Sequence, residues 1–492
     1  ALEQLSPDGE VLSDRILNRT RIDALRDEAV SEQDAYAKLL RPLEGRGARA
    51  GAQGHGSLML DLAAGAAPDD ADDPVRGWPL LGVQLPREAI DDTSGMWLES
   101  YLVQGMRWLL HRARRIDRTA PVIVNLSLGI LAGPKDGTRF AEHRIAREAS
   151  QWEAVTGQPV RVVWAFGNSY DSALVAETTL APGESRDLTW RVQPGDETAS
   201  FVEIRTPGVP PEALHVGVTP PDGPASGPEA IPARAARTLH DGATALARLY
   251  HVPPQALTEA ISPAYLALAL APTAPQRPTE PLAAAGAWTI TVHNSGETPL
   301  RVVLQVQRDD SATGQSPKAR QSYFDAADAH EWNPVTRDFD ALSPEGPITH
   351  AGTVNALATN TARAVFRAGA ARPLNDTWHP APYSAQGADW TVNGPTTATQ
   401  AEMPGGTLRG LMGAATFSGS VSRIGGTSAA TARLSRALGL SAVRITEVAG
   451  AGVPLDDLDP AMVALVPAPE AWHDRLGEVI SEIPSSPLSP AG

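Results

Sequence analysis

The sequence predicts an α/β protein with helices on both faces of a parallel sheet, interrupted by an inserted antiparallel β-sandwich domain. Strands alternate with single helices between residues 80 and 170, which indicates βαβ crossovers. From about residue 172, apolar residues recur at every second position, as they do in half-buried antiparallel strands. Hydrophobic residues make up 42% of the 492 and charged residues 20%, so the chain can form two or more domains with substantial cores.

The first half of the α/β region reads as a regular series of strands and helices. The predicted elements are a strand at Leu80–Leu85, a helix starting near Trp97, a strand at Val122–Leu126, a helix through Phe140 and Trp152, and a strand at Val160–Phe166. Such an architecture places functional groups at the C-terminal ends of the strands.

The pattern of the next region is that of a sandwich. Period-two strands are predicted around Leu188–Val192, Leu214–Val218, Trp288–Val292 and Leu300–Val306, with one helix near Ala243–Tyr250. We therefore divide the chain into residues 1–171 (α/β domain, first part), 172–315 (inserted sandwich), 316–450 (α/β domain, second part) and 451–492 (acidic, proline-rich C-terminal extension).

Composition excludes several classes of function. The formal net charge of −16 disfavours nucleic acid and anionic membranes as partners. The chain has no cysteine, so it has no disulfide, thiolate metal site or cysteine nucleophile. No apolar run approaches the ~20 residues of a membrane span. We expect a soluble protein and leave open whether it is cytoplasmic or exported.

A serine near the end of the chain occupies a position that suits a nucleophile. Residues 425–430 (GGTSAA) precede apolar residues at 434, 438 and 440, which predicts a helix with Ser428 in its first turn. A hydroxyl there lies beside unpaired backbone N–H groups and the positive end of the helix dipole. That setting stabilises an oxyanion, although Gly-Thr-Ser before a helix is also an ordinary N-cap.

A histidine opens another apolar helix. Gly54-His55-Gly56-Ser57 precedes the apolar run at 58–65, and among the 11 histidines only His55 lies in such a setting. Two apolar strands follow, at 122–129 (VIVNLSLG) and 162–168 (VVWAFGN). Each ends in small or polar residues, where a parallel sheet presents its active edge.

Taken together and in this order, these four segments resemble the subtilisin-like serine proteases (subtilases). The resemblance implies a subtilisin-like fold and a serine endopeptidase that hydrolyses peptide bonds in peptides or proteins through an acyl-enzyme on Ser428. It implies that His55 is the general base and that Asn168 is the oxyanion-hole side chain, assisted by the Ser428 N–H. These residue types fit, because a hydroxyl needs a neighbouring imidazole to take its proton and an amide donor to stabilise the attacked carbonyl.

The resemblance also implies where substrate binds. Ser127, Leu128 and Gly129 match the strand on which subtilases bind the substrate backbone, and glycine at 129 permits close backbone approach. Ala165, Phe166 and Gly167 would form the opposite wall of the specificity pocket.

The third triad member is missing from its usual place. In subtilases an aspartate at the end of an apolar strand precedes the histidine, and residues 1–54 contain no such strand. Asp92 lies after His55, and Asp92 or Thr93 is better interpreted as a helix cap. Asp61, six residues along a helix, turns well away from His55. We expect an upstream N-terminal fragment, attached or cleaved and retained, to carry the aspartate.

Two further expectations concern alternatives and accessory groups. The competing hypothesis is a catalytically silent subtilase relative that binds peptides or proteins through its groove and inserted sandwich. No cofactor or metal is predicted: Asp69, Asp70, Asp72 and Asp73 could hold calcium, as many subtilases do, but no glycine-spaced ligand pattern accompanies them, so we interpret them as a solvated loop. We also expect the inserted domain to be dispensable for cleaving short peptides.

Overall fold

Helices, a parallel sheet and several antiparallel sheets make up this computed structural model. It describes residues 16–44, 54–66, 71–86, 89–90, 92–223, 226–309, 318–326, 329–333, 338–342, 346–374, 377–403, 409–415, 417–445, 458–460 and 463–483. The α-helices are α1 (Arg19–Asp27), α2 (Glu32–Glu44), α3 (His55–Ala64), α4 (Met96–Ile116), α5 (Phe140–Thr156), α6 (Gly426–Ile445) and α7 (His473–Leu476). Short 3-10 helices cover Pro74–Gly77, Pro211–Ala213 and Glu470–Trp472.

The strands fall in the region from Val122 to Glu482. In chain order they are β1 (Val122–Leu126), β2 (Val160–Ala165), β3 (Val175–Leu180), β4 (Ser185–Val192), β5 (Ser200–Arg205), β6 (Leu214–Thr219), β7 (Ala236–Asp241), β8 (Thr244–Val252), β9 (Gln255–Ala256), β10 (Ile261–Ser262), β11 (Tyr265–Leu270), β12 (Gly286–Asn294), β13 (Leu300–Val306), β14 (Tyr323–Asp325), β15 (His330–Asn333), β16 (Asp338–Leu342), β17 (Val365–Leu374), β18 (Thr377–Pro380), β19 (Thr397–Gln400), β20 (Leu411–Ala414), β21 (Val421–Ile424), β22 (Ala464–Pro467) and β23 (Val479–Glu482).

The sheet that carries the candidate site is mainly parallel. Its strand order is β1-β2-β17-β19-β23-β22, with β18 hairpinned onto β17. The pairs β1–β2, β2–β17, β17–β19 and β19–β23 are parallel, and β22 and β18 run antiparallel to their neighbours. Every residue of β2 is buried, as expected for a strand covered on both faces.

Helices cover the two faces of this sheet. On one face, α3 and α6 pack on a cluster that includes Val163 and Phe366. On the other, α4 and α5 pack on Val124, Val162 and Trp164. Because neighbouring residues of a strand point to opposite faces, Val162 and Val163 belong to different clusters. The expected α/β arrangement is confirmed at this level.

Two larger antiparallel sheets lie between β2 and β17 in sequence. Their strand orders are β3-β13-β5-β11-β8-β7 and β14-β4-β12-β6. A single buried cluster draws on both sheets, with Trp190 and Trp288 from the smaller sheet and Val202 and Leu268 from the larger. Three two-stranded ladders complete the strands: β9–β10, β15–β16 and β20–β21.

A buried group of charges joins these antiparallel sheets to the helices. Arg139, just before α5, donates from Nε to Glu99 of α4 at 3.0 Å and lies 3.5 Å from Glu203 of β5. Arg205 pairs with Glu203 at 2.6 Å. All four side chains are buried, so removing one would leave a partner charge uncompensated in the interior.

Two predicted elements are wrong. Residues 80–85 form no strand: Pro79 and Pro86 flank them without backbone donors, and Leu80 is 53% exposed. Val83 instead packs against α4 at Gly105. The helix predicted near Ala243–Tyr250 is the strand β8, because its alternate residues are buried against β7 and β11.

The region assigned to a C-terminal extension contributes to the parallel sheet. Within it, β23 pairs with β19 and β22 pairs with β23. Among the described helices, none has the length and apolar character that crossing a membrane would require.

Candidate active site

Ser428 lies in the first turn of α6, as predicted. It is 9% exposed, and its hydroxyl donates to the backbone oxygen of Ser127 at 3.3 Å. The Ser127 hydroxyl in turn donates to the backbone oxygen of Ser428 at 3.0 Å. These reciprocal bonds hold the start of α6 against the segment that follows β1.

Asn168 is locked against the same helix start. Its Oδ1 accepts from Thr427 N at 2.7 Å and from Thr427 Oγ1 at 2.9 Å, across 259 positions of sequence. Thr427 Oγ1 also accepts from Gly167 N at 3.1 Å. Because its oxygen is bonded to Thr427, the Asn168 NH₂ group is left as a donor with no partner among the described residues, and Asn168 is exposed.

Gly426 makes this approach feasible. Its φ is +92°, and a Cβ there would lie 3.0 Å from the Asn168 Nδ2. A side chain at 426 would therefore be strained and would crowd the amide.

His55 is the first residue of α3, which packs beside α6. Leu58 and Met59 share one buried cluster with Ala429 and Ala430, so α3 and α6 pack against each other. Burial lowers the pKa of His55, and the nearby Arg308 lowers it further. The imidazole is thus held neutral, the form that a general base needs.

The orienting carboxylate is not found among the described residues. Within them, His55 forms no hydrogen bond or ion pair with a carboxylate or with Ser428. Asp61 accepts from Ala414 N at 2.9 Å, and Asp92 accepts from Trp97 N, in the first turn of α4, at 2.8 Å. Both therefore already have structural partners.

The two expected substrate walls are joined by an asparagine. Asn355 Nδ2 donates to Leu128 O at 3.2 Å and to Ala165 O at 2.8 Å. Its backbone N–H donates to Phe166 O at 2.7 Å. The segments 127–129 and 165–167 thus lie side by side next to Ser428 and Asn168.

A solved structure has a fold similar to that of this chain. The chain resembles the structure of the Clostridium perfringens CspB protease, with a TM-score of 0.55 and 15% identity over 88% of this chain and 74% of that one. The chain shares the overall fold of that protease. No protein-family profile and no curated protein matches the sequence.

Tyr383 and Glu402, which no sequence motif marks, also belong to the site. Tyr383 OH donates to Glu402 Oε1 at 2.7 Å and accepts from Gly426 N at 2.6 Å. Burial and the Glu402 carboxylate raise the pKa of Tyr383, so it stays a phenol. Glu402 also accepts from Gly410 N. Together they position the Gly425-Gly426 turn before Ser428.

The antiparallel sheets also reach this region. Gln307, just after β13, accepts at Oε1 from Leu131 N at 2.9 Å and from Ala132 N at 3.2 Å. Gln305 Nε2 donates to Gly133 O at 3.0 Å. These two side chains fix the backbone that continues from the expected substrate wall at Gly129.

The acidic run shows no metal geometry in its described part. Asp69 and Asp70 lie outside the described residues. Asp73 is buried, accepts from Val75 N at 3.0 Å and pairs with Arg436 at 3.1 Å, so the solvated-loop interpretation is wrong for this residue. Among the described residues, no group of three or more acidic, histidine or cysteine side chains could hold a metal ion.

Proposed function

We propose that this protein is a serine endopeptidase of subtilisin type that hydrolyses peptide bonds in peptide or protein substrates through an acyl-enzyme on Ser428. The observation that carries the proposal is the meeting of Ser428, Thr427 and Asn168 at one helix N-terminus beside the ends of β1 and β2. The similarity in fold to the CspB protease supports it.

Each residue has a definite role in this mechanism. Ser428 Oγ leaves its bond to Ser127 O and attacks the scissile carbonyl while His55 takes its proton. The Asn168 NH₂ and the Ser428 backbone N–H donate to the oxyanion. His55 then gives the proton to the leaving amine, and water hydrolyses the ester in the reverse sequence.

The proposal includes a strand that carries the missing aspartate. In the described part of the chain, β1 pairs with β2 alone, and four of its five residues are partly exposed, whereas all of β2 is buried. An open edge of a parallel sheet leaves backbone groups available for another strand. An N-terminal segment preceding Ala1, attached or cleaved and retained, would pair there and orient His55.

We also propose that residues 172–315 form a domain inserted into the catalytic domain. Apart from β14 (Tyr323–Asp325), the strands of the two sheets that share a core lie in this range, and they separate Asn168 in sequence from Thr427, with which it forms the site. Residues 1–171 and 316–450 would then supply the two parts of the catalytic domain, and 451–492 would extend it.

The alternative is a silent relative that binds peptides in its groove. The bond from Ser428 Oγ to Ser127 O favours it, since the hydroxyl is not engaged by a base. The two functions differ in whether Ser428 reacts.

Labelling with a fluorophosphonate, followed by peptide mass spectrometry, separates them. We expect the label on Ser428, its loss in Ser428→Ala, and its retention in Ser435→Ala, a buried serine two turns along the same helix. A protein that cleaves peptides while labelled elsewhere would refute the assignment. A folded protein that binds peptide but neither cleaves nor labels would establish the silent groove.

A further inference from the structure

We infer that Asn355 closes the pocket between the two substrate walls, so that the cleavage site follows a small, uncharged residue such as Gly, Ala or Ser. This inference rests on the proposed endopeptidase function and names its substrate class. Asn355 acts as a specificity-determining residue, because it would meet the substrate side chain just before the scissile bond.

The amide of Asn355 spans the space between the walls. One nitrogen, Nδ2, holds both Leu128 O and Ala165 O, which belong to opposite walls, within hydrogen-bond distance. The Asn355 backbone is tied to the second wall through Phe166 O. Asn355 therefore lies between the walls rather than beside them.

The remaining polar atom of the side chain is also engaged. Oδ1 accepts from Ile130 N at 3.2 Å and from Leu357 N at 3.0 Å. The side chain thus has two acceptors for its NH₂ and two donors for its oxygen, and Asn355 is 5% exposed. Swinging it aside would leave Ile130 N and two wall carbonyls unpaired, which makes displacement unfavourable.

Asn355 already occupies the space between Gly129 and Gly167 of the two walls. A Cβ on Gly129 would lie 2.4 Å from the Asn355 amide, and one on Gly167 would lie 3.0 Å from Asn355 N. An added methyl group on either wall would therefore overlap or crowd Asn355. A bulky substrate side chain entering between the walls meets the same amide, and such steric rejection is an effective source of specificity.

The test compares cleavage of peptides that differ only in the residue before the scissile bond: Gly, Ala, Ser, Leu or Phe. The natural chain should favour the first three in kcat/KM. Asn355→Gly should raise the Phe-to-Ala ratio by about 10-fold or more, since single groups in a pocket alter discrimination by that order. Asn355→Ala, which keeps a Cβ, should shift the ratio less.

Asn360→Gly is the matched control. Its amide donates to Gly137 O at 3.3 Å and accepts from Ala362 N, with no bond to either wall. It should leave the ratio unchanged. A natural chain that cleaves as readily after Phe as after Ala, or a folded Asn355→Gly with an unchanged ratio, would overturn the inference.

A second readout separates this inference from the proposed function. If Ser428 takes no fluorophosphonate label and no peptide is cleaved, the endopeptidase proposal fails by itself. The pocket is then tested by calorimetry with peptides ending in Ala or Phe. Tighter binding of the Ala peptide, reversed in Asn355→Gly, supports closure by Asn355, and equal binding refutes it.

Discussion

Replacing Gln307 by alanine should strongly lower the free energy of unfolding of the chain. Its Oε1 accepts hydrogen bonds from the N–H groups of Leu131 and Ala132, both of which are buried. Alanine offers no acceptor, and each orphaned buried donor costs about 1–3 kcal/mol. We therefore expect the free energy of unfolding to fall by about 2–6 kcal/mol in total.

Urea denaturation followed by tryptophan fluorescence measures this loss as a lower transition midpoint. Gln276→Ala is the control, because its amide donates to Glu197 O in an exposed setting. That change should cost no more than about 0.5 kcal/mol. Equal midpoints for the two variants would show that Leu131 and Ala132 do not depend on Gln307.

The same contacts change our expectation for the inserted sheets. Gln305 and Gln307 bond to residues 131–133, and Leu131 is part of the cluster shared by both antiparallel sheets. Deleting residues 172–315 would expose that apolar surface and release the backbone after Gly129. We now expect the deletion variant to lose peptidase activity, where the sequence alone suggested that the insert was dispensable.

Further predictions address the site and its surroundings. Asn168→Ala should lower kcat about 10²–10³-fold with little change in KM, because its amide matters most once the oxyanion forms; an equal loss in binding would place it outside the oxyanion hole. Tyr383→Phe removes the acceptor for Gly426 N and should slow fluorophosphonate labelling of Ser428 while the protein stays folded by circular dichroism; an unchanged rate would contradict a positioning role. Burial raises the pKa of Asp309 to about 8 in the folded state. The folded chain therefore holds the proton more tightly than the unfolded chain, and stability should fall as pH rises from about 4 to 8. Asp309→Asn should flatten that fall in thermal unfolding scans, and an unaltered slope would assign it to other groups.

The sequence predicted best those elements whose local pattern and tertiary environment agree. The period-two apolar residues of β12 and the apolar run of β2 became the strands they indicated. Residues 80–85 have a strand-like composition but pair with no strand among the described residues, and strand pairing depends on tertiary contacts. The Ala, Leu and Arg residues of β8 favour a helix, but pairing with two neighbouring strands overrides this propensity.

The site shows the same limit. His55, Asn168 and Ser428 stand in short motifs, so their types and neighbours marked them. Asn355, Glu402 and Gln307 carry no such motif, because their roles arise from contacts with backbone groups distant in sequence. Tyr383 likewise gives no signal in the sequence, because its partners Glu402 and Gly426 are distant along the chain.

The position of β2 has a consequence for the order of folding. β2 pairs with β1 on one side and with β17 on the other, and about 200 residues of antiparallel strands are synthesised between β2 and β17. A ribosome adds about 5–20 residues each second, so one side of β2 stays open for roughly 10–40 seconds. Thr427, which locks Asn168, emerges later still. A nascent chain thus exposes one side of the apolar strand β2 long before its reactive centre is complete. Because this assembly is slow and non-local, we expect folding of the chain to depend on chaperones.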